Sequence, residues 1–244
     1  MPSTRPVALV TGAARRLGAA VARRLHAAGH DLALHCHASV AEAGALAAGL
    51  EAARPGSTLV LQADLAQFDR LPELVARTVG RFGRLDALVN NAAAFFPTPF
   101  GTVTPAQWDA LFAANLRAPF FLSQAAAPHL KASRGAILNL SDVYARQPRA
   151  DLSAYATSKG ALEAMTRALA VALAPDVRVN AIAPGAILWP EGGGDPAQQR
   201  AILARTALGR TGTPEEIADT ALWLLRDAAY TTGCTLAVDG GRSR

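Results

Sequence analysis

Cysteine is almost absent from this sequence. There are two, Cys36 and Cys234, far apart and at no metal-ligand spacing. That excludes a disulfide framework and suits a reducing cytoplasm. Charge is scarce as well: 18% of residues are Asp, Glu, Lys or Arg, against 51% hydrophobic, the reverse of a disordered chain. Long apolar runs are missing, and none reaches the roughly 18 residues of a membrane span. The first residues run from Met1 through Pro6 straight into Val7-Ala8-Leu9-Val10, without the longer apolar stretch and small-residue cleavage site of a signal peptide. A cytoplasmic protein with no membrane partner is the expectation. Aromatics make up only 6%, and the net charge of +5 comes from arginines spread along the chain. A nucleic-acid binder would more often gather its basic residues into a stripe interleaved with aromatics, so no nucleic-acid partner is expected.

What is present is enough chain, 244 residues, for one α/β core to bury most of its apolar surface without staples. Short β-branched or apolar runs alternate with longer helical stretches. Strands are predicted at Val7–Val10, Leu32–His35, Thr58–Gln62, Ala87–Val89, Ala136–Leu140, Arg178–Ala183 and Thr235–Val238. Helices are predicted at Leu17–Ala28, Val40–Ala53, Leu71–Phe82, Pro105–Leu130, Ala154–Leu173 and Pro214–Leu225. Such alternation implies a doubly wound parallel sheet with helices on both faces, in a single domain spanning residues 1–244. No repeat or long linker divides it. The loosest stretch, Trp189–Pro196, contains Glu191-Gly192-Gly193-Gly194-Asp195; it reads as a mobile lid beside a ligand or as an ordinary surface loop.

The first strand runs into Thr11-Gly12-Ala13-Ala14-Arg15-Arg16-Leu17-Gly18, which opens the first helix. Gly12 permits a tight turn, and Gly18 lets the helix approach the sheet closely. The helix N-terminus then offers N–H groups and a positive dipole to a pyrophosphate. That is the arrangement of a dinucleotide site. An NAD site usually ends its second strand in an acidic residue that accepts from the ribose hydroxyls. Here the segment is His35-Cys36-His37-Ala38-Ser39, with no carboxylate, and Asp31 lies at the strand's other end. Arg15 and Arg16 are candidates to meet a phosphate, and Ser39 can donate a hydrogen bond. The expected cofactor is therefore NADPH. His35 and His37 read as phosphate-facing rather than metal-binding, since no third ligand is in sight; packed or exposed histidines are the plainer alternative.

Tyr155 and Lys159 stand four apart, on one face of a helix. A nearby ammonium favours phenolate, lowering a tyrosine from its reference of ~10, and such a tyrosine can pass a proton during hydride transfer. Tyr-x-x-x-Lys alone is common on solvated helices. Joined to the glycine turn, to Asn90-Asn91-Ala92 after the fourth strand and to Pro184-Gly185 after the sixth, it becomes specific.

With these pieces the sequence resembles the short-chain dehydrogenase/reductase family over nearly its whole length. The resemblance implies a single Rossmann-like domain, commonly a homotetramer. It implies that Asp64, in Asp64-Leu65, contacts the adenine. Asn91 and Ala92 line the cofactor cleft, Asn115 holds a water in a proton relay, and Lys159 binds the nicotinamide ribose. Departures from the family pattern narrow the expectation. Thirteen residues before the tyrosine, where members usually carry serine, stands Asp142, preceded by Ser141; the usual middle glycine of the first turn is Arg16. The turn, the segment His35-x-His37-x-Ser39, the run from Asn90 to Pro99 and the ending Val238-Asp239-Gly240-Gly241 resemble pteridine reductases. In that subgroup the aspartate belongs to the catalytic set, the arginine reaches pterin and cofactor, and an aromatic matching Phe95 stacks on the pterin. Ala38 departs in turn: some members place an arginine there for the 2′-phosphate.

The aspartate alters the chemistry. A serine hydroxyl donates to a carbonyl oxygen as negative charge builds on it, whereas an ionised aspartate has no proton to give. Two like charges ~4 Å apart at an effective dielectric of 20 repel by about 4 kcal/mol. A carboxylate is thus a poor neighbour for a developing alkoxide and a good one for a cationic iminium. It also opposes phenolate formation and keeps Tyr155 an acid. A protonated Asp142 would instead be a donor, and the plain alternative is an aspartate that caps a turn or faces solvent. Phe95 would stack on a flat heteroaromatic ring or else pack the core. Trp189 would edge the substrate pocket or else belong to the core. The expectation is NADPH-dependent reduction of a pterin, dihydropterin or dihydrofolate C=N bond. A carbonyl or 3-oxoacyl-thioester reductase is the nearest alternative, and a cofactor-sensing binding protein without catalysis is the remote one.

Overall fold

The computed structural model describes residues 4–189 and 193–243. Its strands are β1 Val7–Val10, β2 Asp31–Cys36, β3 Thr58–Gln62, β4 Ala87–Asn90, β5 Ala136–Leu140, β6 Arg178–Pro184 and β7 Thr235–Val238. All pair in parallel, in the order β3-β2-β1-β4-β5-β6-β7. The helices are α1 Arg16–Ala27, α2 Val40–Ala53, α3 Leu71–Phe82, α4 Pro105–Phe112, α5 Ala118–Ser133, α6 Ser153–Leu173, α7 Pro196–Ala204 and α8 Pro214–Arg226. This is the doubly wound, Rossmann-like architecture that the alternation of runs predicts.

Strand alternation explains the two-sided core. Ala8 and Val10 of β1 point into a cluster with α1, α2 and α8. Val7 and Leu9 point the other way, into a cluster with α3, α5 and α6. Because both faces are covered, the strand reads as an unbroken apolar run. Helix ends follow local chemistry. Thr104 with Gln107 and Thr213 with Glu216 form capping boxes at α4 and α8, each followed by proline in the first turn. α1 has neither a side-chain cap nor an acidic residue in its first turn.

Two elements differ from expectation. The single helix predicted over Pro105–Leu130 is broken by a wide π-type turn, Ala113–Arg117. Residue 119 is proline and has no N–H, so the Asn115 carbonyl loses its α-helical donor. Helix α7 was not expected from the sequence, and it buries none of its residues, so no apolar stripe announces it. Of the loose stretch, Pro190, Glu191 and Gly192 lie outside the described residues, while Gly193 and Gly194 lead into α7 with positive φ.

Parallel strands place their C-terminal ends on one edge. Gly12, Asn91, Asp142 and Gly185 follow β1, β4, β5 and β6 there. The strand order reverses direction between β1 and β4, which is where a parallel sheet opens a crevice for a ligand.

Gly18 sets the tightness of the first turn: a Cβ there would lie 2.1 Å from the Gly12 carbonyl oxygen and 2.6 Å from Asn91 Nδ2. Gly18→Ala should destabilise the fold by about 1–3 kcal/mol, as overpacking does, seen as a lower urea midpoint. Gly44→Ala, in open space inside α2, should instead raise the midpoint slightly, by up to about 1 kcal/mol.

Candidate active site

The first turn is braced from β4. Asn91 donates through Nδ2 to the carbonyl oxygens of Thr11 (2.8 Å) and Gly12 (3.0 Å). The backbone N–H groups of Asn91 and Ala92 donate to Thr11 Oγ1. Gly12 has φ 61° and Arg16 φ 52°, so the residue that replaces the usual middle glycine sits in the left-handed region where glycine is easiest. Arg16 reaches across to donate to the carbonyl oxygens of Leu188 (3.1 Å) and Trp189 (3.2 Å), tying the first turn to the chain beyond β6. Arg15 is exposed and faces Glu42 of α2 at 3.9 Å. Leu17, in the first turn of α1, is half-buried and packs on the core.

His35 corrects an expectation. It is 1% exposed, accepts the Gly12 N–H on Nδ1 (3.2 Å) and donates from Nε2 to the Ala63 carbonyl (3.1 Å). Both ring nitrogens hold the turn together, so the ring braces the site and does not face a phosphate. His37 is exposed, Ser39 precedes α2 without a side-chain capping bond, and no carboxylate stands in the stretch between them. At the end of β3, Asp64 is half-buried and accepts from the Ala66 N–H, and Leu65 is buried. At the end of β6, Pro184 pairs with Val238. A Cβ on Gly185 would lie 2.7 Å from Asp239 Cα, so glycine lets the C-terminal turn close over the strand.

The proton-handling groups meet at the ends of β5 and α6. The Tyr155 hydroxyl donates to Asp142 Oδ2 at 2.8 Å. Asp142 Oδ1 accepts the Tyr144 N–H at 2.9 Å, so the aspartate also caps the short 3-10 turn Val143–Ala145. Capping a turn and facing the tyrosine, posed as alternatives, are thus both true. Burial raises the Asp142 carboxyl above the ordinary carboxylate range, opposed by those two hydrogen bonds and by the charges of Lys159 and Arg242. Tyr155 is pushed well above its usual value, by burial first and then by the Asp142 charge and bond. The phenol therefore stays protonated. Lys159 is wholly buried, donates from Nζ to the Leu140 carbonyl at 2.7 Å, and lies 6.0 Å from the Tyr155 ring centre. Burial lowers it to about 8. Phe95 is 53% exposed and meets Tyr155 at a right angle, with ring centres 4.8 Å apart and planes at 89°. Phe96 packs on the small cluster around Leu111, Leu152 and Tyr155.

Asn115, buried in the π-type turn, pairs its amide with the Ala94 backbone in both directions and donates to Ser158 Oγ at 3.0 Å. Its side chain thereby steadies the segment after β4 that carries Phe95. A relay water would have to rest on its backbone carbonyl, the one deprived of an α-helical donor. Tyr144 and Arg242 escaped the sequence reading. Arg242 donates to the Tyr144 hydroxyl (3.2 Å) from the C-terminal turn, which Asp239 closes by accepting the N–H groups of Gly241 and Ser243. The aspartate two residues before Gly241 was the one local signal of that turn; nothing local pointed to Tyr144.

The residues fit a dinucleotide. α1 offers an uncapped N-terminus beside two arginines, and one of the Lys159 donors is spent on Leu140, leaving others for ribose hydroxyls.

The buried His35 ring has a consequence for stability. Burial lowers it to about 4, so the unfolded chain takes up a proton below ~6.5 that the fold refuses. Stability present above that pH is lost as pH falls through about 4, by up to about 3 kcal/mol. Urea midpoints at pH 7 and pH 4.5 should show the loss, and His35→Asn should flatten it. An equally steep fall in the variant would count against this assignment.

A family model described as enoyl-(acyl carrier protein) reductase matches residues 12–243. Pteridine reductase 1 of Leishmania tarentolae is 36% identical, with 98% of this chain and 97% of that protein covered. L-xylulose reductase of Bos taurus is 38% identical, over 96% and 95%. L-fucose dehydrogenase of Mus musculus is 36% identical, over 96% and 87%. With the parallel sheet, the glycine turn and the Tyr155–Lys159 pair in place, the chain belongs to the short-chain dehydrogenase/reductase family and is an oxidoreductase.

Proposed function

We propose that the protein is an NADPH-dependent pteridine reductase, reducing the C=N bond of a pterin, dihydropterin or dihydrofolate. The observation that carries this reading is the 2.8 Å bond from Tyr155 to Asp142, a carboxyl where the family usually has serine. The similarity to a pteridine reductase over 98% of the chain supports it. A bound NADPH would supply the hydride that the ring carbon accepts. Tyr155, held protonated by burial and by Asp142, donates a proton to the ring nitrogen, so C=N becomes CH–NH. Asp142, raised above an ordinary carboxylate, can carry the proton that restores the phenol. The half-exposed Phe95 ring offers a stacking surface for a flat bicyclic ring beside the tyrosine. NADPH over NADH is favoured by the missing carboxylate after β2, by the uncommitted Ser39 hydroxyl and by Arg15 standing over the start of α2. A homotetramer in the cytoplasm is part of the same proposal.

A second reading, a carbonyl reductase, is favoured by the similarly close L-xylulose reductase. NADPH oxidation against biopterin, dihydrobiopterin, dihydromonapterin and dihydrofolate, beside small ketones and a 3-oxoacyl thioester, separates the two. Turnover of ketones alone would end the pterin reading.

Asp142→Ser should lose pterin turnover and gain carbonyl activity; dihydrobiopterin reduction at the parent rate would show the aspartate to be dispensable. Tyr155→Phe should lower kcat by about 10²–10⁴-fold, the usual worth of a general acid, with NADPH affinity nearly unchanged by fluorescence titration. The pH profile of kcat/KM should fall on an alkaline limb near 8, where Lys159 loses the proton that makes it a cation. A profile level to pH 10 would mean that this charge is not needed.

A further inference from the structure

A buried carboxylate that the chemistry above leaves unused lies directly behind the site. Glu163 is 5% exposed, and acidic side chains are seldom buried to that degree unless paired. It belongs to α6, four residues after Lys159 and eight after Tyr155, so the three share one stripe of the helix. That stripe grips the chain leaving β5 at successive points. Lys159 holds the Leu140 carbonyl, Glu163 Oε1 accepts from Ser141 Oγ at 3.2 Å, and Tyr155 meets Asp142. Glu163 Oε2 then accepts from Arg146 Nε at 3.0 Å. One carboxylate thus holds both ends of the segment 141–146, whose middle carries Asp142 and the turn it caps.

The backbone explains the division of labour. The Ser141 N–H continues the β-ladder to the Ile182 carbonyl at 2.7 Å, and Asp142 is extended, with φ −162° and ψ 147°. Adjacent side chains of an extended chain point to opposite sides. With Ser141 held against α6 by Glu163, Asp142 is turned toward Tyr155. The Ser141 hydroxyl also lies 3.5 Å from the Lys159 carbonyl, but its single hydrogen has the nearer, charged acceptor in Glu163.

We propose that Glu163 is a positioning residue for the reaction: by holding Ser141 and Arg146 it fixes Asp142 within hydrogen-bond reach of Tyr155. The inference holds for whichever substrate is reduced, and its test reads the Tyr155–Asp142 bond itself, so it stands or falls apart from the pterin reading.

The test uses full-length protein labelled with 13C at tyrosine Cζ. The chain has three tyrosines, and Tyr155→Phe assigns the relevant resonance; Asp142→Asn marks its position when the bond is altered. Glu163→Leu should move the Tyr155 resonance toward the Asp142→Asn value. It should also lower kcat by roughly tenfold to a hundredfold, as small misplacements do, with NADPH Kd changed by no more than about twofold. Glu163→Gln keeps an acceptor for Ser141 and should stay near the parent in resonance and kcat. A Tyr155 resonance unmoved in Glu163→Leu overturns the proposal. Equal movement in the leucine and glutamine variants overturns it too, because loss of charge alone would then explain the change. If Glu163→Leu does not fold, Arg146→Met removes the other grip at a half-exposed position, and there an unmoved resonance overturns the proposal equally.

Discussion

The 2.8 Å bond between the Tyr155 hydroxyl and Asp142 constrains everything built around it. A carboxyl and a phenol withdrawn from water each resist ionisation; Asp142 strengthens that resistance in Tyr155, while the phenol's hydrogen bond partly relieves it in Asp142. Such a pair persists only if its geometry is held from outside, because a buried polar group without its partner is destabilising by about 1–3 kcal/mol. The supports are correspondingly dense: the Tyr144 amide on the second carboxylate oxygen, the Lys159 ammonium on the preceding strand, and Glu163 behind the segment.

The same logic extends to the cofactor side. Asn91 and His35 have little freedom to act chemically, since Asn91 Nδ2 and His35 Nδ1 are committed to the Thr11–Gly12 backbone and His35 Nε2 to the Ala63 carbonyl. What they provide is a rigid turn that leaves the N-terminus of α1 pointing at the crevice. Arg16 spans from that turn to Leu188 and Trp189, so the first turn and the chain beyond β6 are mechanically joined. Asn115 does for Phe95 what Asn91 does for Gly12.

Much of this was legible in the residues. The apolar runs of a parallel sheet are continuous because both faces are buried, and β1, β3, β5 and β7 begin and end where composition places them. Gly12, Gly18, Tyr155, Lys159 and Asp142 stand at spacings that carry their own physical reasons. The break after Phe112 was harder to see, although Pro119 holds its cause, because a proline in the first turn of a helix and one interrupting a longer helix look alike in sequence. Helix α7 gave no signal, having no buried face.

Sequence alone thus determined the sheet, the dinucleotide turn and the replacement of serine by a carboxyl, since each depends on local periodicity or on one residue's chemistry. Only the tertiary structure decided that His35 is a brace, that Asp142 both caps a turn and meets Tyr155, and that Glu163 and Arg242 stand near them. The local Asp142 cap apart, those outcomes depend on contacts between residues 13 to 98 positions apart, and the direction of a side chain across such distances follows from packing that no local pattern records.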